Sequence, residues 1–149
     1  MTPDVNVLVA AFRGDHPHHT VARDWLELAV AEASAGAGAG AVFTLMPMVL
    51  ASFLRLVTSP KIFKSPAPIS DAVKFIDALL ATPGVQLTEL GAEWPKFRQL
   101  CLDKLLSGNA LPDAWLAAAV DHSSEHLVSF DRDFKKLLRR GQFTLLDPQ

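Results

Sequence analysis

Apolar and polar positions alternate in blocks along this chain, and the block lengths predict helices joined by short strands. The run VNVLVAAF (5–12) is apolar almost throughout, so periodicity alone leaves it open between strand and helix. From about His19 to Ala33, Val21, Trp25 and Leu28 recur at helical spacing, and SAGAGAG (34–40) then predicts a surface loop. VFTL (42–45) reads as a short buried strand. Pro47 suits the first turn of a helix running to about Val57 and stopping before Pro60. KIFKSPAP, with two prolines, is a loop. Ser70 is placed to cap a helix through Leu80 that carries Val73, Ile76, Asp77 and Leu80 on one face. VQLTEL is the next strand candidate. Residues 92–106 are helical by period, with Trp94, Phe97, Cys101 and Leu105 as the inward stripe, until SGN breaks the pattern. Pro112 opens an alanine-rich helix to about His122, HLVSF is a strand, and FTLL is a last, edge strand. This alternation predicts an α/β fold with a mainly parallel sheet, as a single domain over 1–149.

Composition narrows the class. Half of the 149 residues are hydrophobic and a fifth are charged, the balance of a globular chain. No apolar stretch approaches the roughly 18 residues of a membrane span, and no secretory leader is visible. The lone Cys101 excludes an internal disulfide and a cysteine zinc cage, and its apolar setting predicts a core thiol. A reduced, cytoplasmic protein is expected. The net charge of −2 exerts no general pull on nucleic acid. Polyanion binding would have to come from the local cluster Arg132, Lys135, Lys136, Arg139 and Arg140, for which a solvated helix face is the plainer reading.

The candidate chemistry lies in acids beside apolar blocks: Asp4, Asp113, Asp131 and Asp133. Carboxylates so placed are costly to desolvate unless their charge is offset. Each has a plain alternative: Asp4 as a helix cap, Asp113 as a first-turn acid facing the helix dipole, Asp131 as the start of a turn. In open α/β sheets, however, distant segments converge at the carboxyl ends of the strands. If the acids meet there, the natural neutraliser is a hard divalent cation, Mg²⁺ or Mn²⁺, which prefers oxygen ligands. His16, His18 and His19 have nitrogen donors that suit zinc or copper, but their place before a helix points to a surface or helix-entry role, or to RNA contact. His122 and His126 flank a helix–strand loop and read as structural.

From Asp4 through Asp133 the chain resembles the PIN domain of VapC toxins from bacterial toxin–antitoxin pairs. The resemblance rests on DVNVLVAAFRGD, HPHH leading to ARDWL, VLASFLRLVTSPKIF, GNALPDAWLAAAVDH and LVSFDRDF. It implies a PIN-like three-layer fold, a mainly parallel central sheet flanked by helices. It also implies a Mg²⁺- or Mn²⁺-dependent endoribonuclease with Asp4, Asp113 and Asp131 as metal ligands and Asp133 as an accessory catalytic acid. Asn109 would be a supporting polar residue, and Arg132, Lys135 and Lys136 would contact RNA. A cognate antitoxin and a homodimeric state are implied as well. One position departs: the family's usual glutamate falls on Ser52, which brings a hydroxyl and no charge. That leaves, as the alternative, a degenerate PIN domain acting as an RNA- or partner-binding module.

The DRD within FDRDF also suggests a haloacid-dehalogenase-like phosphatase. Those enzymes carry the pair after the first strand, whereas here it lies near the end of the chain.

Overall fold

The structure is a computed structural model describing residues 1–36 and 42–147. Most of the surface loop expected over 34–40 lies outside the described residues. The first strand, β1 (Thr2–Pro3), stops where Asp4 caps the next element by accepting the Val5 N–H at 2.7 Å. That cap resolves the ambiguous run: VNVLVAAF is a helix, α1 (Val5–Phe12), with Val7 through Ala11 all buried. A helix apolar on every side belongs inside, and α1 packs against both α2 (His19–Ser34) and α3 (Pro47–Val57).

The chain continues through β2 (Phe43–Leu45) ahead of α3, then α4 (Ile69–Leu80), β3 (Val85–Leu87), α5 (Trp94–Asp103), α6 (Ala110–His122) and β4 (Leu127–Ser129). A 3-10 turn, Arg132–Lys136, leads to β5 (Phe143–Leu145). All strand pairs are parallel: β1 with β4, β4 with β5, and β2 with β3. The Met1 nitrogen bonds to the Val42 carbonyl, and the Thr44 N–H to the Met1 carbonyl, which lays β2 along β1. The spatial order is therefore β3-β2-β1-β4-β5, with helices flanking the sheet. The order reverses between β1 and β4, and a crevice opens at such a switch point beyond the strand ends. As expected, α3 starts on Pro47 and FTLL forms an edge strand.

Several expected faces are displaced. Helix α2 buries Ala22, Leu26, Ala29 and Ala33, while Leu28 is 60% exposed. Helix α4 buries Ala72, Ile76 and Leu79 and exposes Val73 and Asp77. Ile76 is buried as expected; elsewhere the stripes lie one residue from the expected positions, with alanines at Ala22, Ala29, Ala33 and Ala72 sharing them with Leu26 and Leu79. At Gly84, where φ is +83°, a Cβ would collide with the Ala33 carbonyl, so α2 and the start of β3 are nearly touching. Ser70 is not a cap; it lies inside α4, whose N-cap position is Pro68.

Helix α5 departs furthest. It buries no residue, Trp94 is 59% exposed, and Leu105 lies beyond its end at 87%. Cys101 is only half-buried, so it is not the core thiol expected. The stripe has α6 rather than the sheet as its main neighbour, and one helix cannot cover it. Helix α6 begins at Ala110, two residues before Pro112. His126 is structural, bonding the Gly141 carbonyl and the Thr144 hydroxyl. Among the described residues no helix is long and apolar enough to cross a membrane.

Candidate active site

Asp4 leaves the end of β1 directly into the switch-point crevice, where it is 5% exposed. Its Oδ1 accepts the Val5 N–H, and its Oδ2 accepts the Ser129 hydroxyl at 2.7 Å. Burial pushes its carboxyl up to about 6; the two hydrogen bonds oppose the shift, and the charges of Asp113 and Asp131 reinforce it.

Ser129 is the hub that joins the strand ends. Its Oγ donates to Asp4 and accepts the Asn6 Nδ2–H at 3.0 Å and the Asp131 N–H at 2.9 Å. Asn6 Oδ1 accepts the Phe130 N–H at 3.2 Å, which ties the start of α1 to the end of β4. Sequence reasoning missed both residues. Their signal was a polar side chain inside an apolar run, two residues from an acid: Asn6 after Asp4, and Ser129 before Asp131.

Asp113 lies in the first turn of α6, half-buried, and is raised by burial and then by Asp131 and Asp133. Asp131 follows β4 and caps the 3-10 turn through the Asp133 N–H at 2.8 Å. Asp133 is exposed, with Lys136 Nζ at 3.5 Å. Arg132 and Lys135 project from the same turn and are also exposed. Arg139, from the same basic cluster, is instead held by Asp121 at 2.7 Å. Asn109 stands exposed at the N-cap of α6 and makes no capping bond.

A cavity of about 780 Å³ opens between α3 and α6. Asp4, Asp113 and the half-buried Ser52 line it together with Arg55, Trp115 and mostly apolar side chains. Asp131 and Asp133 are not among its lining residues; the charge of Asp131 reaches Asp4 and Asp113, and that of Asp133 reaches Asp113. A further buried acid, Glu93, was not expected here: it is 4% exposed, and its Oε1 accepts the Trp115 Nε1–H at 2.7 Å. Its Oε2 accepts the Gly91 N–H, also at 2.7 Å. Burial works against ionising Glu93, but these bonds outweigh it and hold the carboxyl below its ordinary range.

Among the described residues no three His, Cys, Asp or Glu side chains meet as a ready-made metal cage. Asp4 and Asp113 share one cavity and offer only oxygen donors, and the charges of Asp131, on both, and of Asp133, on Asp113, raise their carboxyls further. Oxygen-rich, under-neutralised clusters fit a hard divalent cation. The histidines shape the entry to α2: His18 N–H donates to His16 Nδ1, His19 Nδ1–H donates to the Ala10 carbonyl, and His18 packs on Phe130 at 5.0 Å.

Residues 1–139 match the family model described as the PIN domain. The chain is 43% identical over 135 residues to Ribonuclease VapC25 of Mycobacterium tuberculosis, covering 89% of each sequence. It is 42% identical to Ribonuclease VapC31 of the same species, again over 89% of each. The fold is shared with VapBC2 of Rickettsia felis, solved with a DNA fragment from their promoter, at a TM-score of 0.65 and 18% identity, covering 98% of each chain.

Proposed function

The chain belongs to the PIN-domain family, as a ribonuclease of the VapC type, and we propose that it hydrolyses RNA with a divalent cation, Mg²⁺ or Mn²⁺, held by Asp4, Asp113 and Asp131. One observation carries the site assignment. Asp4 and Asp113, far apart in sequence, line one cavity at the strand-order switch point, and both carboxyls are raised.

The cation would supply charge neutralisation, activation of the attacking water and stabilisation of the leaving oxygen. The protein residues do the positioning. Ser129 and the Val5 N–H orient the Asp4 carboxylate, and Asn6 fixes Ser129 in turn. Asp133 serves as the accessory acid on the exposed side. Arg132, Lys135 and Lys136 stand beside it to meet the phosphate backbone, whose contacts with Lys and Arg are largely independent of sequence. Ser52 contributes a hydroxyl to the cavity wall, and Asn109 stays at the margin as a supporting polar group.

A cognate antitoxin would restrain the enzyme in the cytoplasm, and pairing into a homodimer would cover exposed apolar surface such as Trp94, Leu102 and Leu105. The single domain spans the chain. The test is direct: purified protein cuts single-stranded RNA in Mg²⁺ or Mn²⁺ and stops in EDTA. Cleavage that persists unchanged in EDTA overturns the cation assignment.

A further inference from the structure

We infer that the cavity beside Asp4 and Asp113 is a subsite for one nucleotide of single-stranded RNA, with its base stacked on Trp115 and its phosphate met by Arg55. The inference rests on the ribonuclease reading and specifies how that site holds its substrate.

Trp115 is 36% exposed at the cavity, yet its one polar atom is tied inward to Glu93. The part of the indole left accessible is therefore carbon, the surface on which a base stacks. The tether is a charge-assisted hydrogen bond donated by the indole N–H to a buried carboxylate whose other oxygen accepts the Gly91 N–H, so the ring is fixed by a group that is itself fixed. Apolar neighbours such as Met48, Leu56 and Phe97 continue the lining, and a volume of about 780 Å³ has room for a nucleotide.

Arg55 supplies the complement. It lies on α3, lines the same cavity, and forms no ion pair or side-chain hydrogen bond among the described residues. The reason lies one turn earlier. Ser52, at i, i+3 from Arg55, carries no charge and offers the guanidinium no ion-pair partner. A guanidinium matches a phosphate in geometry as well as in charge. Ser52 and the unpaired Arg55 thus leave one wall of the cavity with a cation and no acid. An apolar peptide would use the lining but would leave Arg55 without an anion.

Kinetics on a single-stranded RNA pool with Mn²⁺ test the subsite. Trp115→Ala should raise KM by about 5- to 150-fold with little change in kcat, the range spanned by loss of one base–aromatic stack. Trp115→Phe should recover most of that loss, and Glu93→Gln, acting only through the position of the ring, should fall between them. Arg55→Ala should raise KM and reduce the salt dependence of binding by about one ion. Independently of cleavage, the Trp115 indole N–H resonance of the wild-type protein should shift on titration with adenosine or uridine 5′-monophosphate without metal, and shift less in Glu93→Gln. A shifting indole in a protein that does not cut RNA would sink the hydrolytic reading and uphold the subsite. An unmoved indole, with KM unchanged in Trp115→Ala, would overturn the subsite even if cleavage is normal. So would an indole that responds only to an amphipathic antitoxin peptide, since the cavity would then be a protein groove.

Discussion

Helix α6 carries an acid at each end, and the two are treated in opposite ways. Asp113, in the first turn, is favoured by the helix dipole yet raised in pKa by burial and by Asp131 and Asp133. Asp121, in the last turn, faces an unfavourable dipole yet is held far below the carboxylate range. Lys96 at 2.8 Å, Gln142 at 2.9 Å and Arg139 at 2.7 Å account for that. Burial and then neighbouring acids override the dipole at the first end, and hydrogen-bonded cations and an amide at the other. A carboxylate answered by cations staples α5, α6 and the segment before β5 together. A carboxylate surrounded by other acids is a cost to the fold, and it is intelligible where a ligand supplies the missing positive charge.

Neutralising each end should separate the two roles. Asp113→Asn should lower RNA cleavage by roughly 100-fold or more, the scale of one lost electrostatic contact at a reacting centre. Its circular dichroism and melting temperature should hold or improve, because a repelled charge is gone. A folded Asp113→Asn protein that cuts like wild type would remove Asp113 from the site.

The buried member of the acid cluster should show itself through pH. Asp4 has a folded pKa of about 6 against 3.8 for the ordinary group. Its protonated form is favoured in the folded state, so its contribution is fully present below 3.8 and is lost as pH rises through about 6. The difference amounts to about 3 kcal/mol across that window. Denaturation of wild type and Asp4→Asn from pH 4 to 7 should diverge by that amount, and parallel curves would contradict the burial argument. Saturating Mg²⁺ at neutral pH should raise the wild-type melting temperature by mass action, and the rise should shrink in Asp131→Asn.

The compensated end has the opposite sign. Because the folded pKa of Asp121 is depressed, its contribution is present above the ordinary carboxylate value and is lost as pH falls below it. Asp121→Asn should cost about 1–2 kcal/mol at pH 7, since its cationic partners are largely solvated. Cleavage should persist, and a loss of activity without loss of stability would break the distinction between the two ends. The smallest effect concerns Ser52→Glu. An added carboxylate should tighten Mn²⁺ binding by about 1–2 kcal/mol where partly desolvated, while slightly destabilising the metal-free protein. An unchanged Mn²⁺ titration would place Ser52 outside the cation's reach.

Much of this was legible in the chain. The bounds of α3 and the positions of β2, β3, β4 and β5 follow from block lengths, prolines and turn residues. The face of α2, and that of α4 apart from Ile76, was not legible, because Ala22, Ala29, Ala33 and Ala72 share the buried stripes with Leu26, Ile76 and Leu79. An alanine gives the same weak signal on either side of a helix. The acids were visible as types beside apolar runs, whereas the groups that orient them were not. Ser129 and Asn6 act across more than a hundred residues, and Glu93 acts on Trp115 from a different helix end.

By itself, then, the sequence determined the alternation of strands and helices and the acids at their ends, because these depend on local periodicity and on residue type; the serine where the resemblance implied a glutamate was legible through that resemblance. Only the tertiary structure decided that VNVLVAAF is a buried helix, since its apolar run suits either period until Asp4 caps it and α2 and α3 enclose it. It also decided which acids stay uncompensated. Whether a carboxylate is stapled like Asp121 or left raised like Asp4 and Asp113 depends on how deeply the fold buries it and on whether cations come within about 3 Å; Asp4 has two donors at 2.7 Å, and burial still outweighs them.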